Sequence, residues 1–418
     1  MTPIDGARMV LATLLALLGS ARGADLSDLD VTFRLWAAPE GSRSNPSSPF
    51  APAAALAGLG GERGRGEASL RLRRGGLTAE VSARATARRA ETLLSDGLVN
   101  ELYYDAEVFG QHFTLGKRVT SWDVGFGFRP LDVVQQEDRR ALHPFALEGI
   151  PLVAWELFGE GSAWTLLYAN PLRGRARAPR DDESVAFRHY RRLGAVDLHL
   201  VSRYSERARL AAGAAMAVVL GDAVELHGSF RYQRRCERFA DPLADASAGA
   251  SPLAASDPTT VAISENALAA LIGFTVAPGW GLSVLGEAWL DPAGSTADEW
   301  SALRTLSEGQ RALLGDPAIP TALALANLAW TLRAFDRPDL LRQNLFLRVS
   351  RKGERFEPAL DLLFTPEDRG WVATATAAYQ GERTRLDAGL RVFGGPPGSA
   401  YRLFPQSAIL HVALQVFF

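Results

Sequence analysis

The feature that most constrains this chain is a period-two alternation of apolar and polar side chains, repeated in segments long enough to cross a bilayer as tilted strands. From Thr384 to Phe393, Leu386, Ala388, Leu390 and Val392 share one face, and Arg385, Asp387, Gly389 and Arg391 share the other. From Val224 to Gln233 the apolar face is Val224, Leu226, Gly228, Phe230 and Tyr232, opposite Glu225, His227, Ser229, Arg231 and Gln233. The same split recurs from Leu77 to Arg84, Val196 to Leu200, Leu282 to Leu290 and Asn344 to Ser350. Soluble sandwiches alternate too, but their strands usually run about five or six residues, whereas a membrane-crossing strand needs about nine to eleven.

Applied along the chain, this pattern predicts about eighteen strands, with sixteen as the alternative count. They fall near residues 30–38, 67–74, 76–87, 98–108, 111–120, 150–158, 162–169, 183–192, 194–204, 207–220, 222–234, 266–276, 280–290, 341–351, 354–365, 369–380, 383–394 and 408–418. Tight turns alternate with longer connections. The tight ones lie at Gly75-Gly76, Phe109-Gly110, Gly159-Glu160-Gly161, Leu193-Gly194, Gly221-Asp222, Ala277-Pro278-Gly279, Lys352-Gly353 and Gln380-Gly381. The opposite set includes the long loops 39–66, 121–149, 235–265 and 291–340, with 170–182 and 395–407, although two members, at Ser205-Glu206 and Pro366-Glu367-Asp368, are short. Short turns on one side and long loops on the other are the layout of an outer-membrane barrel. The expected fold is therefore all-β, a transmembrane antiparallel up-and-down barrel. Its long loop 291–340 carries a helical insertion, Asp298 to Leu314, and a second apolar stretch, Ile319 to Leu332.

Targeting agrees with this expectation. Arg8 precedes the apolar run Met9 to Leu18, followed by small residues with Ala21 and Gly23 suited to the cleavage positions. That is a secretory signal pattern, giving a signal peptide at 1–23 and a single barrel domain at 24–418. Beyond it no apolar run reaches the roughly 18 residues a transmembrane helix needs. The expected location is the Gram-negative outer membrane, with its lipid and its barrel-assembly machinery as partners. In the last strand Leu414, Val416 and Phe418, which with Leu410 and Val412 oppose His411, Ala413 and Gln415, resemble the assembly signal of outer-membrane barrel substrates.

The polar faces assemble into a mixed inner wall. Arg34, Arg71, Arg73, Arg84, Arg203, Arg231, Arg348, Arg385 and Arg391 are the expected lumen-lining cations, with Glu80, Asp105, Asp197, Glu225, Glu287, Asp361 and Asp387 as the anions. Such a lumen suits small hydrophilic or charged solutes, saccharide types included. A lumen plugged by its own loops, in a surface receptor, adhesin or assembly protein, is the alternative reading. Loop 291–340 is open to two readings, a constriction inside the lumen or a lid over its mouth. Aromatics near strand ends, among them Trp36, Tyr104, Trp155, Trp164, Tyr168, Tyr190, Tyr204, Tyr232, Trp289, Trp371, Tyr379 and Phe393, are expected to form interfacial girdles.

Other chemistries find little support. The net charge of −2 gives no electrostatic case for nucleic acid. One cysteine, Cys236, placed in an expected loop, excludes a disulfide framework. No G-x-S-x-G, P-loop or H-E-x-x-H motif occurs, and neither His112 nor His189 has a serine partner assigned by sequence. His199 and His227 lack a third metal ligand, so no catalytic residue, metal or cofactor is expected.

One stretch carries a family resemblance. Gly116-Lys117-Arg118-Val119, then Ser121-Trp122, a Gly/Phe-rich loop containing Gly125 and Pro130, Leu131-Asp132-Val133 and Glu148-Gly149-Ile150-Pro151 resemble the strand-to-loop motif of alginate-export-type porins and related porin-like barrels. The resemblance implies an outer-membrane channel of about eighteen strands with a charged inner wall.

Overall fold

The computed structural model describes residues 28–88, 93–174, 181–245 and 250–418; the expected signal peptide lies outside them. Eighteen strands form one antiparallel sheet. They are β1 (Asp30–Ser44), β2 (Gly61–Arg74), β3 (Leu77–Arg88), β4 (Leu94–Val108), β5 (Gln111–Arg118), β6 (Ile150–Gly159), β7 (Ser162–Ala169), β8 (Ser184–Leu193) and β9 (Val196–Ser205). The second half comprises β10 (Arg209–Leu220), β11 (Val224–Ala240), β12 (Thr260–Gly279), β13 (Leu282–Leu290), β14 (Gln343–Arg351), β15 (Phe356–Thr365), β16 (Gly370–Gln380), β17 (Thr384–Gly394) and β18 (Gln406–Phe417). Each strand pairs with its sequence neighbours, and β1 pairs with β18 as well as β2, so the sheet closes on itself. Closure satisfies the backbone edges that lipid cannot hydrogen-bond. Eighteen strands, rather than sixteen, is the observed count.

Local chemistry explains the two rims. At the short-turn rim, Phe109 and Gly110 both take positive φ (53° and 72°), the two-residue turn whose twist matches paired strands. At the long-loop rim the sheet runs further than the alternation signalled. β1 reaches Ser44, β2 starts at Gly61, β11 reaches Ala240 and β12 starts at Thr260, so the expected loops 39–66 and 235–265 shrink to 45–60 and 241–259. Cys236, expected in a loop, is a buried residue of β11.

The outer face is apolar and open. Leu35, Leu200, Ile272, Leu360 and Leu410 are all exposed, Ile272 at 70%, a density of bare aliphatic surface that water does not favour and lipid does. Tyr168, Tyr204, Tyr232 and Trp371 lie on this face toward the long-loop rim, and Tyr104, Trp164 and Tyr379 toward the other. Four expected girdle aromatics instead turn inward. Trp36 and Trp289 are buried, Tyr190 donates to Asp197, and Phe393 stacks on Phe404 at 4.2 Å.

The long connections build a cap with its own apolar core. Helix α1 (Ala51–Leu56) lies between β1 and β2; α2 (Ala297–Ala312) and α3 (Thr321–Leu332) lie between β13 and β14. Thr296 and Glu299 form a reciprocal capping box at the start of α2, which satisfies backbone donors that would otherwise be left without partners. Phe50, Ala53 and Ala54 pack with Leu328 and Leu332 of α3. Asn327 of α3 bonds both ways with the Ala254 backbone, Trp300 of α2 donates to the Gly398 carbonyl at 3.0 Å, and Arg311 donates to the Ser48 carbonyl at 2.8 Å. Four connections are thus joined at the long-loop rim, and Trp300 and Leu303 of α2 share a cluster with Phe346 of β14 and Leu363 of β15.

Candidate functional site in the lumen

The segment that enters the barrel is 119–149, between β5 and β6. Its start is knotted. Asp132 accepts the backbone N–H groups of Trp122 (2.6 Å) and Asp123 (3.0 Å), and its other oxygen takes the Arg129 guanidinium at 2.5 Å. Arg129 also donates to the carbonyls of Gly125 and Asp123 and to Ser121. Asp123 accepts from Gly125 and Leu131; burial pushes its carboxyl above the usual range, against those donors. Such a web of charge-assisted bonds holds one loop conformation.

From this knot the chain crosses the lumen. Trp122, Leu131 and Val134 pack on the inner faces of β6 to β10 through Leu152, Leu167, Ala186, Val201 and Ala215. Arg231 of β11 donates to the Pro130 carbonyl at 2.8 Å. Glu287 of β13 accepts the N–H groups of Phe126 and Gly127, each at 2.7 Å, while His227 of β11 lies 3.1 Å from the same carboxylate. Phe126 stacks on Phe346 of β14 and Phe128 on Trp289. Arg391 of β17 donates to the Arg140 carbonyl at 2.5 Å. On the far wall Glu67 of β2 accepts the Ala146 N–H at 3.0 Å, Arg84 of β3 donates to the Ala146 carbonyl, and Phe145 and His143 pack on Trp36 of β1. Burial holds the His143 imidazole down at about 4, so it is neutral at pH 7.

β2 and β11 stand nine places apart in a ring of eighteen, on opposite walls. Such a ring is roughly 35 Å across between backbones, and sixteen residues of extended chain reach up to about 50 Å. The stretch from Pro130 to Ala146 therefore spans the diameter. Loop 121–149 was expected among the external connections and is instead the lumen's main occupant. Its sequence carried the signal: Trp122, Val124, Phe126, Phe128, Leu131, Val133 and Val134 are too dense an apolar set for a solvated loop.

The resembling motif sits at this entry. Gly116 has φ +134° and a Cβ there would overlap the Leu102 carbonyl. Lys117 bonds Glu148 and the Val99 carbonyl, each at 2.6 Å. Arg118 donates to Thr114 and stacks over Tyr103.

Most expected wall residues are found in pairs. Arg34 lies 3.4 Å from Glu67 and Arg84 2.9 Å from it; Arg71 bridges Glu80 and Glu101. Asp105 accepts from Thr114 at 2.5 Å, and Arg118 lies 3.6 Å away. Arg348 meets Asp361 at 2.8 Å, and Arg385 meets both Glu357 and Asp387. Arg203 lies 3.5 Å from Asp182, Glu225 lies 3.5 Å from His227, and Arg73 stands opposite Asp30 in register. Glu67, Glu101 and Glu357 were missed, although Glu67 shares the parity of Arg71 and could have been read from it. Several of these charges stay wet: Arg34, Arg71, Arg118, Arg348 and Arg385 keep 30–36% of their side-chain surface accessible.

The geometry matches outer-membrane barrels. Over 94% of its length the chain is similar to Pseudomonas aeruginosa OccK11 (OpdR), covering 96% of that protein at 8% identity and a TM-score of 0.53. Over 98% of its length it is similar to Wzi of Escherichia coli, described as an outer membrane protein involved in group 1 capsule assembly and a carbohydrate-binding β-barrel, covering 88% of that chain at 10% identity and a TM-score of 0.51. A Rhodopseudomonas blastica porin variant is matched over 93% of this chain and all of its own, at 9% identity and a TM-score of 0.43. No family model and no curated protein matches the sequence. The likenesses to OccK11 and Wzi support the barrel fold and do not single out the alginate-export type.

Proposed function

We propose that this protein is an outer-membrane barrel that passes small hydrophilic or charged solutes through a lumen narrowed by segment 119–149. The observation that carries the reading is the wet, charged inner wall. Arginines on β1, β2, β14 and β17 remain partly accessible to water beside the crossing segment, and ion-paired wall charges flanking a constriction bias which solutes pass. The lumen-lining role of the named arginines and acids belongs to this proposal. So do the outer-membrane location, export by a cleaved leader, and recognition of Leu414, Val416 and Phe418 by barrel-assembly machinery. No catalytic step is involved.

The diameter-spanning segment and the four-connection cap favour a second reading, a loop-filled barrel that binds a saccharide at its capped face. Planar-bilayer recording on the refolded full chain separates the two. Stepwise ohmic conductance is expected; a heat-modifiable barrel that inserts into bilayers without conducting overturns the channel reading in favour of the second.

A further inference from the structure

At the long-loop edge of the apolar belt, a cleft of about 320 Å³ opens on the outside of the barrel between β9 and β12. Its walls are Tyr204, Arg209, Leu210, Tyr232, Arg234, Arg235 and Glu265. Local backbone shapes it, because Arg209 and Asn266 both adopt positive φ (57° each) where the strands emerge from the belt. Asn266 accepts from Tyr232 at 2.6 Å and from Arg234 at 2.7 Å, which fixes that guanidinium over the cleft. Arg209 donates to the Tyr204 hydroxyl at 3.3 Å. Among the described residues no carboxylate lies within ion-pair distance of Arg209 or Arg235; Arg234 has the half-exposed Glu265 at 3.5 Å.

Three guanidiniums thus face one carboxylate. Directly below them the surface is bare aliphatic and aromatic: Leu200, Leu210, Phe230 and Leu268 are each about half exposed. A ligand that satisfies both halves has an anionic phosphate for the arginines and acyl chains for the belt. Guanidinium forks suit phosphate oxygens, and tyrosines with basic residues at this depth anchor a barrel at the headgroup level. We infer that this cleft binds the phosphate headgroup of an anionic lipid in the leaflet on the long-loop side. The inference rests on the membrane reading above.

The test uses the full chain purified in detergent and native mass spectrometry, with dioleoyl phosphatidic acid, dioleoylglycerol and inorganic phosphate as probes. The wild type is expected to retain phosphatidic acid over dioleoylglycerol. R209Q/R234Q is expected to lose that retention about tenfold, while R351Q/R355Q, which removes equal charge at the opposite rim, keeps it. E265Q is expected to raise retention, a direction that misfolding does not produce. Wild-type retention in a heat-modifiable R209Q/R234Q barrel overturns the inference, as does displacement of the lipid by inorganic phosphate, which marks a free-anion site. Liposome flotation of the wild type separates the two claims: a chain that does not insert contradicts the membrane reading, whereas one that inserts without selecting the phosphate contradicts this site alone.

Discussion

The Glu287 carboxylate accepts the Gly127 amide at 2.7 Å, joining the wall of β13 to a segment 160 residues earlier in the chain. The other oxygen holds Phe126 in the same way, so one side chain fixes the segment's position against that wall. E287Q places an NH2 where a second acceptor is needed. An unsatisfied buried donor costs about 1–3 kcal/mol, so the segment is expected to detach from β13, with larger and noisier conductance steps in planar bilayers. Unchanged step size and noise would contradict this role.

Gly116 is a backbone requirement of β5. With φ at +134° and the Leu102 carbonyl where a Cβ would sit, Gly116→Ala is expected to force β4 and β5 apart at the entry of the lumen segment. The cost is more than about 2 kcal/mol, read as a reduced heat-modifiable fraction after refolding. The same change at Gly41, where a Cβ meets nothing within 4 Å, is the control.

The cap carries a pH dependence. Asp339 lies 2.9 Å from Arg140, yet its complete burial pushes its carboxyl up to about 7. The folded state thus binds a proton that the unfolded chain releases near the usual carboxylate range. The stability from this group is present below about 4 and is lost as pH rises through about 7. Hydrogen exchange at 337–341, corrected for intrinsic rates, is expected to speed up across that window, and D339N is expected to flatten the response.

The exposed face answers to lipid. Leu410 faces outward from β18 opposite Leu390 of β17, near mid-strand. Leu410→Arg is expected to cost about 2–4 kcal/mol of barrel stability in liposomes, measured by urea titration of folded mobility. A cost below about 1 kcal/mol would place this face outside the hydrocarbon.

Removal of 297–332 is expected to leave the barrel assembled, because β13 and β14 pair directly through nine residue pairs. Conductance is expected to rise while selectivity stays, since 119–149 is held by the walls themselves. Loss of assembly would show instead that the cap templates the β13–β14 hairpin.

Strand number, strand faces and turn parity were legible from sequence because lipid outside and water inside impose opposite demands on alternate residues. Legibility ended where that demand ended. Above the belt both faces of Gly61-Glu62-Arg63-Gly64 are solvated, so pairing persists there without alternation. Trp36, Trp289 and Phe393 were misread for a related reason: the inner wall is polar only where it meets water, and here part of it meets a protein segment. The charged face of each strand is read by parity, whereas the groups at 126–146 that meet Glu287, Arg231, Arg391 and Glu67 sit in a connection that was expected outside the barrel. Cys236 was misplaced by the same strand extension.

The seam between β1 and β18 does not close over empty space. Trp36 on one seam strand and Ala413 on the other pack against Phe145, the far end of the crossing segment. Phe33 and Phe418 fasten the same seam at its rim by a reciprocal pair of backbone bonds. These contacts join the most distant parts of the sequence, the kind that form late. The crossing segment therefore braces from inside the one seam where the first and last strands meet, in addition to the backbone ladder that pairs them.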